Sequence, residues 1–320
     1  MFKRLSPEAS AVWMARPGAA LSLALLALCA AFAFAKPVFL SPENLLGILH
    51  QVAIIGIMAV GMTFVIMTGG IDLSVGPVLA IAGVFAAEVL AIGHGGTLLA
   101  VAVAVGASAT VGGVNGLLIA YGGLAPFVVT LAGLSVVRGS ALLIGGPDLH
   151  LIRGPSSFIA IGSGSLAGVP VSVYVFGAAI VVGTFVQYGT TFGVSALAVG
   201  ANQRAAHLSG HRVRRTKAAA YVACAACAGL AGVIEASQVH TAAATYGMGV
   251  ELDVIAAVVV GGTSLAGGSG SIPLTFVGVL LIGVMNDGLG LLNTPIEWQL
   301  IVKGLIIAVA VGLSERRRSA

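Results

Sequence analysis

The chain predicts an all-α integral membrane protein of about ten transmembrane helices, and three observations carry that expectation. Of its 320 residues only 8 % are charged and 58 % are hydrophobic, with a mean hydropathy of +1.08, whereas a soluble domain carries about a quarter charged residues. The apolar residues form long continuous runs, while strands of a membrane barrel alternate at period two. Only helices and closed barrels satisfy their backbone groups in lipid, so a helical bundle follows. The 46 glycines agree with it, because small residues let membrane helices approach closely.

In chain order, Lys3, Arg4 and Arg16 precede the apolar run 19–35, which ends Ala33-Phe34-Ala35 before Lys36. That ending has the form of a signal-peptide cleavage site. The run is longer than a usual signal core, however, and a multi-span chain needs no cleaved signal, so the adopted reading is a retained first helix. A span needs about twenty apolar residues, and the further runs that reach or approach this are 45–67, 74–92, 98–121, 124–144, 169–187, 218–234, 254–261, 272–292 and 298–313. The eighth segment, 254–261, is too short to cross as a straight helix and reads as a broken helix shielded by neighbours.

Ten segments place both ends of the chain on the side that carries residues 201–217, the one long basic polar run. Eleven of the fifteen Lys and Arg residues then share that side, five of them in 201–217. Lys36 and Arg153 fall opposite, and Arg138 and Lys303 lie within helices. This is the positive-inside distribution of a multi-pass protein with cytoplasmic termini, so the net charge of +4 implies a lipid bilayer and no nucleic acid. The interruptions 145–168 and 188–217 are too short to bury a core of their own, and residues 1–320 read as a single transmembrane domain with a cytoplasmic segment at 201–217.

Few motifs suggest chemistry. Cys224-Ala-Ala-Cys227 lacks the third and fourth ligands of a zinc site and reads as helix packing. His207 and His211 stand four apart, but two ligands without a carboxylate make a weak metal face, so no metal is expected. The glycine-rich run 261–270 contains no lysine where a phosphate-binding loop requires one. No nucleophile and base pair forms a catalytic set, and the chain reads as no enzyme. The pattern Gly69-Gly70-x-x-Leu73-x-x-Gly76 recurs as Gly261-Gly262-x-x-Leu265-x-x-Gly268, either as a repeat or as coincidence in a glycine-rich chain.

Polar groups in or beside the spans are functional candidates because they are costly in lipid. Asp72 and Ser74 serve either to cap the next helix, with Pro77 tolerated in its first turn, or to gate or contact a translocated molecule. Asn115, Thr130, Arg138, Glu251 and Asp253 complete the candidate pathway set, and Arg138 is the deepest, read either as a paired structural arginine or as a ligand. In the basic run, residues 202–209 predict two turns of helix closed by Gly210, with Ala205 and Ala206 leaving its surface bare and Leu208 offering an apolar contact. The arginines that follow suit carboxylates or anionic lipid heads. A solvated, topology-setting loop is the plainer alternative.

Taken together and in order, several stretches resemble the permease subunits of bacterial ABC importers for monosaccharides, the ribose-type family. They are Gly70-Ile71-Asp72-Leu73-Ser74-Val75-Gly76, Asn115-Gly116, Pro126-Phe127 with Thr130-Leu131, Arg138-Gly139, Ala205-Ala206-x-x-Ser209-Gly210, Gly249-x-Glu251-Leu252-Asp253-x-Ile255-Ala256-Ala257 and Gly261-Gly262-Thr263-Ser264-Leu265-Ala266-Gly267-Gly268. The resemblance implies a type II ABC importer-like permease bundle in the bacterial inner membrane. Its implied partners are a second permease copy, cytoplasmic ATPase subunits that bind ATP and Mg, and a periplasmic sugar-binding protein; the chain itself needs no cofactor. It also implies that Asn202, Arg204, Ala205, Ala206, Leu208, Ser209 and Gly210 form a helix that sits in a cleft of the ATPase and couples its closure to transport.

The chain departs from the family pattern at His211, Val250, Asp287, Gly290 and Glu297-Trp298, positions that bear on substrate or partner choice more than on class. Branched-chain amino-acid permeases share the broad architecture, but Gly-Ile-Asp-Leu-Ser-Val-Gly is the sugar-type form. An ion-coupled secondary transporter is a further alternative and predicts midplane carboxylates, whereas most acidic residues here lie near segment ends.

Overall fold

The structure, a computed structural model, describes residues 17–93, 96–152 and 154–319. Lys3, Arg4, Arg16 and Arg153, used above for sidedness, lie outside the described residues. Thirteen α-helices follow one another among those described: α1 Pro17–Ala35, α2 Pro42–Met67, α3 Val75–Ala91, α4 Thr97–Ala120, α5 Pro126–Gly145, α6 Ser156–Ser163, α7 Val171–Gly189, α8 Thr191–Ala201, α9 Gln203–Leu208, α10 Val213–Val239, α11 Val250–Val260, α12 Ile272–Leu291 and α13 Ile296–Ser319. Each of the ten apolar segments coincides with one of them, and seven (α1, α2, α4, α5, α7, α10 and α12) are long and apolar enough to cross a membrane.

The helices start and stop for local reasons. Ser41 caps α2 by accepting from the Asn44 N–H at 3.2 Å, with Pro42 at the first position and Glu43 in the first turn. Those residues are polar or ring-locked, so hydrophobicity placed the start late, at 45. The same effect shortened α10, which gains a turn or more at each end beyond 218–234 from polar flanks, and α11, whose first turn carries Glu251 and Asp253. Helix α8 was not anticipated. At eleven residues it is apolar but too short to cross, and it links α7 to the basic segment.

Two helices form the centre. α10 runs along α4, α2, α3 and α6, and α2 packs also on α7 and α12. More than half of the spanning window of both α2 and α10 is buried, against 11 % for α1, which lies at the periphery. α3 is short yet nearly enclosed, with thirteen of its seventeen residues buried. Exposed leucines, valines and phenylalanines on α4, α5 and α7, such as Leu117, Phe127, Val136 and Phe185, suit lipid or a partner surface. At the end of the bundle away from residues 201–217, strand β1 (His150–Leu151) pairs antiparallel with β4 (Thr241–Ala242), and His150 meets Glu88 at 3.4 Å. A second small hairpin joins β2 (Ser165–Leu166) to β3 (Val169–Pro170).

The recurring glycine pattern has a structural counterpart, one residue out of register. α2 and α11 both end in a Schellman turn: Gly70 N–H reaches Val65 O at 3.1 Å and Thr263 N–H reaches Val258 O at 3.2 Å. The left-handed residue is Gly69 in one and Gly262 in the other, the second half-turn position each motif requires. Gly69 therefore corresponds to Gly262, whereas the sequence pattern aligned it with Gly261. The device is shared but the letter-for-letter alignment is not, which fits coincidence of a common turn chemistry.

These two turns meet. Gly268 N–H donates to Met67 O at 3.0 Å, and Gly200, at the end of α8, lies on the same carbonyl, so that a Cβ built there would stand 1.9 Å from Met67 O and 2.4 Å from Gly268 N. The glycine-rich loop is thus a packing corner joining α2, α8 and α11. Gly200→Ala is expected to open this corner at a cost of about 3 kcal/mol or more, the upper end for overpacking because backbone cannot step aside. A thermal melt of the purified variant against the wild type measures it, and an unchanged melting point would contradict the contact.

Candidate functional site

The basic segment folds as its residues predict. Asn202 Oδ1 accepts from Ala205 N–H at 3.0 Å and so caps α9. At the other end His211 N–H bonds Ala206 O at 3.0 Å and Gly210 N–H bonds His207 O at 3.0 Å, with Gly210 at φ +85°. The two turns are therefore fixed by their own caps, which matters because six residues are too few to hold a helix in water unaided. His211, the departure after Gly210, shares a 2.8 Å hydrogen bond with Ser195 of α8.

One expectation is corrected here. Ala205 and Ala206 do not both present a bare face: Ala206 is 4 % exposed and turns into the chain, while Asn202, Arg204, Ala205, Leu208, Ser209 and Gly210 are exposed. Successive helical residues point about 100° apart, and of this short helix Ala206 is the position turned onto the bundle. Leu208 is 81 % exposed, a large apolar side chain at the water-facing end of the molecule with nothing of its own chain over it.

A polar cluster lies one to two helical turns further in. Asp72 Oδ1 accepts from the Ser74 N–H at 2.9 Å and the Ser74 hydroxyl at 2.6 Å, and Asn115 Nδ2 donates to Ser74 Oγ at 3.0 Å. Thr130 Oγ1 donates to Ile71 O at 3.3 Å and to Pro126 O at 3.0 Å. Tyr221 of α10 adds its hydroxyl to Ile71 O at 3.4 Å. The loop 68–74 is thereby tied to α4, α5 and α10 at once. Asp72, Ser74, Asn115 and Thr130 are all 4 % exposed or less. They are packed inside the chain, not along an open surface, and most of their hydrogen bonds go to that loop, while Asp72 Oδ2 is buried without a partner among the described residues.

Of the two roles open for Asp72 and Ser74, the geometry gives a modified form of capping. Asp72 takes the N–H of Ser74 just before α3, and Ser74 itself makes no side-chain cap. Pro77 sits in the first turn, where its missing N–H costs nothing. A carboxylate at a helix start is also favoured by the macrodipole; Asp72 lies two residues before the N-cap of α3, whereas Glu251 lies inside the first turn of α11. The two helix starts touch: a Cβ at Gly76 would stand 2.4 Å from Glu251 Oε2 and 2.5 Å from Gly247 O.

Arg138 and Asp253 each tie separate elements of the chain together. The Arg138 guanidinium donates to the carbonyls of Ala244 and, at 2.7 Å, Tyr246, so α5 holds the non-helical segment that leads into α11. Asp253 Oδ2 pairs with Lys303 Nζ of α13 at 3.0 Å, each side chain less than 20 % exposed. Asp253 therefore binds α11 to α13. Two contributors were missed from sequence: Tyr221, and Gln187, which donates to Gly270 O at 2.7 Å and accepts from Ile272 N–H at 2.9 Å. Tyr221 is the one ring in the alanine-rich start of α10, and Gln187 is the polar end of an apolar run; both were visible, but neither had a sequence-near partner.

Comparison with known proteins now bears on this architecture. The family model described as the permease component of the branched-chain amino acid transport system matches residues 44–311. The chain belongs to that permease family. It is 43 % identical to the ribose import permease protein of Bacillus subtilis (strain 168), over 89 % of this chain and 88 % of the relative. It is 40 % identical to that of Escherichia coli (strain K12), over 92 % and 93 %, and 37 % identical to an L-arabinose ABC transporter permease protein of Azospirillum brasilense, over 96 % and 90 %. No solved structure matches. The permease is a multi-pass membrane protein and a transport component, with the helical bundle such a subunit requires.

Proposed function

We propose that the permease is the membrane subunit of an ATP-driven importer of a monosaccharide or related polyol in the bacterial inner membrane. The observation that carries this reading is identity of 37–43 % to ribose and arabinose permeases along nearly the whole of both chains, while the family model's own description names branched-chain amino acids. The similarity extends past the shared bundle to the sugar-type stretch 70–76. Two copies form the pathway, both termini and residues 201–217 face the cytoplasm, a periplasmic binding protein delivers the sugar, and ATPase subunits supply hydrolysis with their own ATP and Mg.

In this reading α9 is the coupling element. Asn202 and Gly210 fix its ends, Ala205, Leu208, Arg204 and Ser209 face the ATPase, and Ala206 seats it on the bundle. Gly200 carries its movement to Met67 and the loop 68–74, and so to Asp72, Ser74, Asn115 and Thr130. Those residues and Glu251 act as a gate that must rearrange, with Arg138 and Asp253 as anchors for α11. An ion-coupled mechanism is less well supported. Ion coupling calls for carboxylates gathered at midplane, whereas the candidate acidic residues lie near segment ends and Asp253 is already paired with Lys303.

The deciding experiment is to copurify the permease with its ATPase and binding protein, screen sugars against the binding protein, and follow import into proteoliposomes. Import of the bound sugar only with ATP is the expected result. Accumulation by the permease alone, driven by an ion gradient, would overturn the reading.

A further inference from the structure

A polar cavity lies apart from the cluster around Asp72, in the half of the bundle remote from the basic segment. It has a volume of about 360 Å³ between α2, α12 and α13 and is lined by Gln51, Asn286, Asp287, Gln299 and Lys303 over an apolar wall that includes Ile55. Such a volume falls within the range of small-molecule sites, about 300–1,000 Å³. Polar side chains gathered on membrane helices need a reason, since they are costly in lipid and usually face a cavity with a function.

Its chemistry is specific. Asn286 Oδ1 is buried without a hydrogen-bond partner among the described residues. Asp287 accepts from Asn44 Nδ2 at 2.9 Å, and Lys303 is held by Asp253 at 3.0 Å. With Lys303 already paired to Asp253, Asp287 gives Asn44 one carboxylate oxygen and keeps the other as an acceptor for a solute hydroxyl. Gln299 spends its Nε2 on Thr294 O at 2.9 Å and keeps its amide oxygen, while Gln51 makes no hydrogen bond among the described residues and keeps both amide groups. Donors and acceptors in nearly equal number, beside an apolar wall, complement a neutral polyol: each hydroxyl both donates and accepts, and the C–H face packs on aliphatic carbon.

We propose that this cavity is a subsite for a neutral polyhydroxylated solute, with Asn286 and Gln51 as its direct contacts. The proposal rests on the reading that the permease moves a monosaccharide and adds where in a single chain the sugar is held. It also gives the departure at Asp287 a meaning: it sets one wall of the subsite and so bears on which sugar is accepted.

The test uses the full-length permease in lipid nanodiscs without its partners, with saturation-transfer NMR on D-ribose, L-arabinose and D-allose. Transfer to at least one sugar is expected in the wild type, with a fivefold or greater loss in Asn286→Leu and in Gln51→Leu. Asp287→Asn retains an oxygen for Asn44; it is expected to keep transfer but change the order of preference among the three sugars, which mere destabilisation does not do. Sugar import by the assembled transporter together with equal transfer in wild type and both leucine variants, or with no transfer at all, overturns the subsite alone. Failure of the assembled transporter to import any sugar overturns the monosaccharide reading and the subsite with it.

Discussion

Replacing Ala205 with glutamate is expected to abolish ATP-driven import while leaving the permease folded and inserted. Ala205 lies on the exposed face of α9, and its own N–H is already satisfied by Asn202, so a longer side chain meets only water in the free subunit. Against an ATPase cleft the same carboxylate would be buried without a partner, which weakens association by about tenfold or more for every 1.4 kcal/mol lost. Copurification of the ATPase and ATP-driven uptake would both fall, with the melting temperature unchanged. Ala206→Glu should behave differently: at 4 % exposure the carboxylate is forced into the seat of α9 and the melting temperature falls as well. Normal transport by Ala205→Glu would remove the coupling role from this helix. Equal melting temperatures for the two variants would contradict the orientation described for it.

Breaking the Asp253–Lys303 pair is expected to be the costliest single charge change in the bundle. The two side chains join the short helix α11 to α13 at 3.0 Å, and each is largely withdrawn from solvent. Removing one partner strands the other, at a cost of about 3 kcal/mol, the low end for a buried pair because both keep some exposure. Lys303→Met and Asp253→Leu should each lower the melting temperature and the yield of monodisperse protein. The double variant should recover much of the loss, since an apolar pair of similar volume often replaces a buried ion pair at little cost. No recovery in the double variant would mean that the charges act on something other than one another.

Much of this was legible in the sequence. All ten apolar segments coincide with helices, and seven of those helices are long and apolar enough to cross a membrane, because a run of about twenty apolar residues in lipid has no other way to satisfy its backbone. The short helix α9 was legible for a different reason: Asn202 and Gly210 are end signals whose effect is local, reaching no further than the next turn of chain. What could not be read were side-chain partners across large separations in sequence. Asn115 meets Ser74 from 41 residues away, Tyr221 meets Ile71 from 150, and Lys303 meets Asp253 from 50. The candidate pathway residues accordingly fall into separate contacts that the sequence could not show: bonds on the loop 68–74, the Arg138 bonds to Ala244 and Tyr246, and the Asp253–Lys303 pair.

By itself the sequence determined the membrane class, the helical spans, the basic face and the two ends of α9, all of which follow from composition and local backbone chemistry. Tertiary structure alone decided which of two adjacent alanines faces outward and that Gly200 lies on the Met67 carbonyl. It also decided that the polar cavity between α2, α12 and α13 stands apart from the packed cluster around Asp72. Those outcomes depend on how helices far apart in the chain come to lie against one another, and no window of neighbouring residues contains that information.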